Sequence, residues 1–195
     1  MKKTNLKKIF LDTEFTGLHQ NTTLISIALV AETGEEFYAE FTDYDQSQVN
    51  PWIQENVLSK CFLQEGKNLF LLDKHHIKGN RNEIKTALLD WLNYFDVRKN
   101  PLGKTLPTFQ IWADVPHWDW VLFCELFGGA LNLPPQIHYI PLDIATLLNI
   151  RNIDPDKSRL ALVLDIDKDQ LPKNMNEHNA LFDCKISKIV CDFYL

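Results

Sequence analysis

Asp12 and Glu14 stand two residues apart at the end of the apolar run Ile9-Phe10-Leu11, with Thr13 between them. Side chains two apart on a strand point to one face, so both carboxylates aim at the same point. Like charges held that close push one pKa strongly upward unless a proton or a cation intervenes. All-oxygen donors suit a hard divalent ion, which points to Mg²⁺ or Mn²⁺. The plain alternative is a solvated turn just past a strand.

Later positions bear on that choice. The segment Asp114-Val115-Pro116-His117-Trp118-Asp119-Trp120 reads as a strand exit running into a helix start. Acids favour first helical turns, so a simple capping role also accounts for one of its aspartates. In His178-Asn179-Ala180-Leu181-Phe182-Asp183 the acid sits one turn into the last predicted helix, and the histidine sits at or before its start. A histidine so placed can move while the acid is held, and imidazole titrates near neutrality. Asp165, Asp167 and Asp169 imitate the opening of a calcium loop. The pattern then fails, with Gln170 where glycine is needed and Asn176 where glutamate is needed, so it reads as a solvated acidic turn.

The elements that must position these groups follow from periodicity. Residues 7–12, 22–32 and 35–42 read as three strands in an antiparallel meander, with Thr33-Gly34 as a tight turn. Asn50-Pro51 starts a short helix to about Lys60, with Asn as cap and Pro as first helical residue. Residues 61–80 read as an irregular excursion, whose adjacent His75 and His76 diverge on any regular element. An amphipathic helix is predicted over 82–95, a strand over 108–113, and a helix over 116–127 closed by Gly128-Gly129. A strand over 137–142 leads to a helix capped by Asp143. Asp154-Pro155 starts another helix. The last covers about 177–193, with Ile186, Ile189, Val190 and Phe193 on its apolar side. The sum is one α/β domain over 1–195: a mixed five-stranded sheet, its first three strands antiparallel and the rest parallel, flanked by helices. If 108–113 runs parallel to the first strand, both open on one sheet edge, where ligands of such folds collect.

The totals set bounds. A chain of 195 residues can bury one sizeable core. No apolar run is long enough to span a membrane. The basic N-terminus meets Asp12 too soon for a signal peptide, so the cytoplasm is expected. Cys61, Cys124, Cys184 and Cys191 form no Cys-x-x-Cys pair and read as free thiols. A net charge of −6 argues against a protein that coats nucleic acid without preference, but not against an enzyme gripping a strand end through metal ions.

Taken in order, Leu-Asp-Thr-Glu-Phe-Thr-Gly-Leu from Leu11, Trp-Asp-Trp-Val-Leu-Phe from Trp118 and His-Asn-Ala-Leu-Phe-Asp from His178 resemble the DEDDh subgroup of 3′→5′ exonucleases. The likeness covers roughly residues 8–192. It is nearest the small bacterial and phage exoribonucleases of the RNase T and oligoribonuclease kind. It implies an RNase H-like fold, with Asp12, Glu14, Asp119 and Asp183 holding two Mg²⁺ or Mn²⁺ ions. Asp12 would bridge the ions and His178 would be the general base, with Asp114 the fallback for Asp119. It further implies release of nucleoside 5′-monophosphates from single-stranded or overhanging 3′ ends, RNA ahead of DNA. Phe15 and Leu18 would meet the terminal bases. Thr13 and Thr16 could offer an amide or hydroxyl to the terminal sugar, with Gly17 in the same grip. Trp118 is a candidate substrate contact and Trp120 a core residue. Arg81, Arg98, Arg151 and Arg159 are candidates for holding the strand. Look-alikes are commonly homodimers, and the 61–80 excursion could serve that interface. The competing readings are a catalytically silent RNase H-like binding module and a proofreading partner of a separate polymerase.

Overall fold

A computed structural model describes residues 6–195 apart from 64–67, 72, 96–98, 100–101 and 174–176. Its centre is a seven-stranded mixed sheet. Strand β1 spans Lys7–Phe15, β2 Leu24–Ala31 and β3 Glu36–Phe41. The hairpin partners β1 and β2 pair antiparallel, with Asp12 opposite Ala28 and Glu14 opposite Ser26. β2 and β3 continue the meander. Every residue of β2 is buried, because helices cover both faces of the sheet.

The 61–80 excursion carries two further strands, β4 (Leu69–Phe70) and β5 (Lys74–Gly79). β5 lies parallel beside β3, and β4 closes that edge antiparallel. Its sequence Lys-His-His-Ile-Lys-Gly lacks alternation, since ion pairs replace apolar contacts on its inner face: His76 and Lys185 both approach Glu36. His75 and His76 do diverge, one ring against Phe70 and the other against Tyr38 and Phe62. Leu69, Phe70 and Leu71 stand exposed on this outer edge.

On the other side, β6 (Phe109–Ala113) runs parallel to β1, with Phe10 opposite Trp112. The strand expected over 137–142 shrinks to one bridge at Ile137 and the two-residue β7, Leu142–Asp143. Pro141, within that stretch, lacks the donor a continuous ladder needs. The full order is β4-β5-β3-β2-β1-β6-β7. β1, β3, β5, β6 and β7 all point toward one edge.

Helix α1 (Pro51–Asn56) begins under the Asn50 cap, and α2 (Arg81–Tyr94) under a capping box of Asn80 and Glu83. α3 is His117–Leu126, closed by Gly128 and Gly129 at φ 83° and 107°. α4 (Ile144–Ile150) starts at Asp143 as expected. α5 (Arg159–Asp167) starts four residues later than the Asp154-Pro155 signal suggests. Asp154 instead accepts a bond from the Asp156 amide in a turn, and Ser158 caps the helix. α6 spans Ala180–Tyr194 under the Asn179 cap. Ile186 and Val190 are buried on it, whereas Phe193 is exposed. No described helix is long and apolar enough to cross a membrane.

The pleat of β1 sorts its residues. Ile9 and Leu11 join the core under α2 and α3 with Leu88, Trp91 and Phe123. Phe10 faces the opposite core with Ile144, Leu148, Val163 and Val190 of α4, α5 and α6. Asp12 and Glu14 share the face of Phe10, and α6 packs across that face of β1 and β2.

Candidate active site

The carboxylates meet where β1 leaves the sheet. One oxygen each of Asp12, Glu14 and Asp183 lie within 4.8 Å of one another. Asp12 and Glu14 are brought together by strand period, and Asp183 by the first turn of α6 lying over them. Asp119 is not part of that trio. It sits on the first turn of α3, 9% exposed, and one of its oxygens accepts both the amide and the hydroxyl of Thr13, at 2.9 and 2.7 Å. The local reason is strand length. Pairing with β6 ends at Phe10, so the Thr13 amide has no strand partner on that side and takes a carboxylate instead.

Burial and crowding act together on these acids. Asp12 is pushed well above the carboxylate range by burial first, then by Asp119, Asp183 and Glu14. Glu14 is raised to about 8 by burial and then by Asp183 and Asp119. Burial raises Asp183 to about 7 and Asp119 to about 6, each against hydrogen bonds that favour the charged form. The cluster therefore holds more negative charge than its surroundings can stabilise. Hard oxygen donors converging on one point are the donor set a divalent cation needs, so these residues fit such an ion.

His178 lies at the mouth of the same cleft, a cavity of about 340 Å³ lined by Asp12, Asp114, Arg159, Glu177, His178 and Asp183. The histidine is exposed and adopts φ 63°. Its amide donates to the Asp183 carboxylate at 2.8 Å, which holds that unusual backbone in place. Its ring stands edge-on to Trp52 of α1, with centroids 5.3 Å apart. Across the cleft Val115 also has positive φ, 46°, and donates its amide to Asp143. A β-branched residue there is strained, and such strain gathers at functional sites. That turn sets the direction of Asp114, which pairs with Arg159 at 2.7 Å. Burial raises Asp114, and Arg159 opposes the shift.

The remaining sequence-derived residues divide. Phe15 packs against the α2-side core and lies 6.4 Å from the half-buried Trp118. Leu18 is 76% exposed just beyond. Trp120 stacks on Phe123 in the core. Thr13 and Thr16 are buried and spend their polar groups inside the fold, Thr13 on Asp119 and Thr16 on Thr22, Thr23 and Gln48. A Cβ on Gly17 would come 2.9 Å from the exposed His19 ring, which would have to shift to admit it. Arg81 binds the Glu125 carbonyl and Arg151 the terminal Leu195 carbonyl, leaving Arg159 as the predicted arginine at the cleft. Arg98 lies outside the described residues. Asp165 pairs with Lys157 and Asp167 caps a short turn of helix, as a solvated acidic segment should. Sequence reasoning missed Trp52, Asn56 and Lys60. The last two line a second cavity, of about 650 Å³, that shares Leu160, Glu177 and His178 with the first. Nothing local to α1 signals this, because the contact between Trp52 and His178 joins residues far apart in sequence.

Comparison with known proteins agrees with this geometry. Residues 7–195 match the family model described as a 3′-5′ exoribonuclease Rv2179c-like domain. Two curated relatives, the 3′-5′ exoribonucleases Rv2179c and MT2234.1 from two strains of Mycobacterium tuberculosis, are each 28% identical over 130 residues, 67% of this chain and 67% of their own. Among solved structures, the nuclease domain of 3′hExo, a DEDDh family member bound to rAMP, superposes with a TM-score of 0.56 at 12% identity, covering 95% of this chain and 89% of that one. That likeness shows the fold: a mixed α/β sheet flanked by helices, as in that domain. The chain belongs to the Rv2179c-like 3′-5′ exoribonuclease domain family.

Proposed function

We propose that this protein is a metal-dependent 3′→5′ exoribonuclease that removes nucleoside 5′-monophosphates from single-stranded or overhanging 3′ ends, RNA in preference to DNA. The observation that carries the reading is the convergence of Asp12, Glu14 and Asp183 from the two ends of the chain, with His178 on the same cleft. Asp12, Glu14 and Asp183, with Asp119 beside them, would hold two Mg²⁺ or Mn²⁺ ions. When bound, the ions supply positive charge to the attacking and leaving oxygens and make a water acidic enough to ionise near neutrality.

The chain's own residues do the rest. His178 takes the proton of the attacking water, and its exposed position lets the imidazole exchange that proton with solvent. Trp52 limits how far the ring can swing away. The water's oxygen bonds to phosphorus as the bond from phosphorus to the preceding 3′ oxygen breaks. The departing 3′ oxygen takes a proton from solvent, so the phosphate leaves with the released nucleotide and the shortened strand ends in a 3′ hydroxyl. Phe15, Trp118 and Leu18 offer apolar surface to the terminal bases. Stacking of that kind is worth about 1–3 kcal/mol per base and tolerates any sequence.

The test is shortening of a 5′-labelled RNA oligomer with Mg²⁺, Mn²⁺ or EDTA. Wild type should give a stepwise ladder that vanishes in EDTA. His178→Ala should lose about 10²–10⁴-fold in rate while keeping its calorimetric Mg²⁺ affinity. Asp12→Asn should lose both. Tight RNA binding with no shortening by wild type would sink the proposal.

A further inference from the structure

We propose that Arg159 grips a backbone phosphate of the bound strand, and that Asp114 occupies the guanidinium as a stand-in anion until that phosphate arrives. The proposal rests on the exonuclease reading for the identity of the strand. Among the described residues lining the cleft that also holds Asp12, His178 and Asp183, Arg159 is the one lysine or arginine. Its side chain is 13% exposed, an unusual depth for an arginine. One terminal nitrogen donates to Asp114 at 2.7 Å and another to the Lys157 carbonyl at 2.5 Å. The Nε is buried with no hydrogen-bond partner. Two of the five guanidinium N–H donors are thus engaged inside the fold, and the fork suits two non-bridging oxygens of a phosphodiester.

Asp114 fits the stand-in role better than a metal-ligand role. Its carboxylate is held by Arg159 and, among the described residues, lies outside the trio that converges. Its charge nevertheless reaches Asp12, Asp119 and Asp183, each of which it pushes upward. The Asp114–Arg159 pair thus sits beside the acidic centre without joining it. A nuclease whose charge totals −6 needs local cations to admit a polyanion. Arg159 supplies one at the cleft itself, and the ion pair keeps that cation aimed at the cleft.

Anisotropy of a fluorescein-labelled single-stranded RNA octamer, in Ca²⁺ and over a range of KCl, tests this apart from turnover. Arg159→Gln should weaken binding about 10- to 100-fold, the range expected for losing a charge-assisted contact. It should also lower the slope of log affinity against log salt by about 0.7, the share of one phosphate on a single strand. Arg159→Lys should keep the slope and lose part of the affinity, a split that a merely structural role would not produce. Asp114→Asn should bind severalfold more tightly, because the competing anion is gone. Unchanged affinity and slope in Arg159→Gln would overturn the proposal, as would loss of Mg²⁺ binding in Asp114→Asn. If Arg159→Gln behaves as stated while wild type never shortens the octamer in Mg²⁺, the phosphate grip stands and the exonuclease reading fails.

Discussion

Asp12, Glu14, Asp119 and Asp183 repel one another in a partly dry site, and the consequence is a pH dependence of stability that a cation should remove. An acid whose pKa is raised on folding binds more protons folded than unfolded, so stability falls as pH climbs from the ordinary value to the raised one. For Glu14 that interval runs from 4.5 to about 8, for Asp183 from 3.8 to about 7 and for Asp119 from 3.8 to about 6. In EDTA the melting temperature should therefore decline steadily between about pH 4 and pH 8. Added Mg²⁺ binds the folded state alone and should recover stability, most strongly at the alkaline end where the acids are ionised. Melting curves at matched ionic strength check this. A flat profile in EDTA, or a Mg²⁺ effect independent of pH, would show that the four acids do not share one site.

At the scale of elements, the last helix carries most of the burden, and its cap ties it to the sheet. Asn179 is 4% exposed. Its carbonyl oxygen accepts from the Phe182 amide, and its nitrogen donates to the Lys60 carbonyl at 3.0 Å and to the Tyr38 hydroxyl at 3.3 Å. One residue thus fixes the start of α6 against β3 and the segment after α1, directly beside His178. Asn179→Ala should cost about 1–3 kcal/mol, since it removes a cap and leaves buried partners unpaired. It should also lower kcat at a temperature where the variant stays folded, because His178 loses its fixed base. Chemical denaturation and kcat at low temperature measure both; a stability loss with unchanged kcat would confine Asn179 to capping. Helix caps of this sort were legible in the sequence at Asn50 and Asp143, where a short polar side chain precedes a helical run. Asp154-Pro155 carried the same signal and yielded only a turn, because Ser158 offers a better-placed cap. β5 was illegible because its inner-face partners are charged and distant in sequence. The acids at 12, 14 and 183 were readable from type and order, whereas Arg159's pairing and Trp52's contact arise only once the sheet edge has assembled.

Among the described residues of the whole molecule, a large core lies on each face of the sheet, and the α6-side core lines the cleft directly. The α2 side is built from residues such as Leu88 and Trp91, both fully buried. The α6 side includes Ile186, 2% exposed, which packs in that core and also lines the cleft with Asp12 and Asp183. Truncating either side chain to alanine should cost a comparable amount, about 2–5 kcal/mol, because each leaves a cavity that close-packed neighbours fill only in part. The functional results should differ. Leu88→Ala removes support beneath the face of the sheet opposite Asp12, Glu14 and Asp183, so its kcat well below the melting transition should stay near wild type. Ile186→Ala lets α6 settle toward β1 and shifts Asp183 relative to Asp12 and Glu14, so kcat should drop and Mg²⁺ affinity should weaken with it. Such sites lose rate steeply when a reacting group moves by a fraction of an ångström. Equal losses of kcat in the two variants would mean that the acidic centre responds to overall stability, not to the seating of α6.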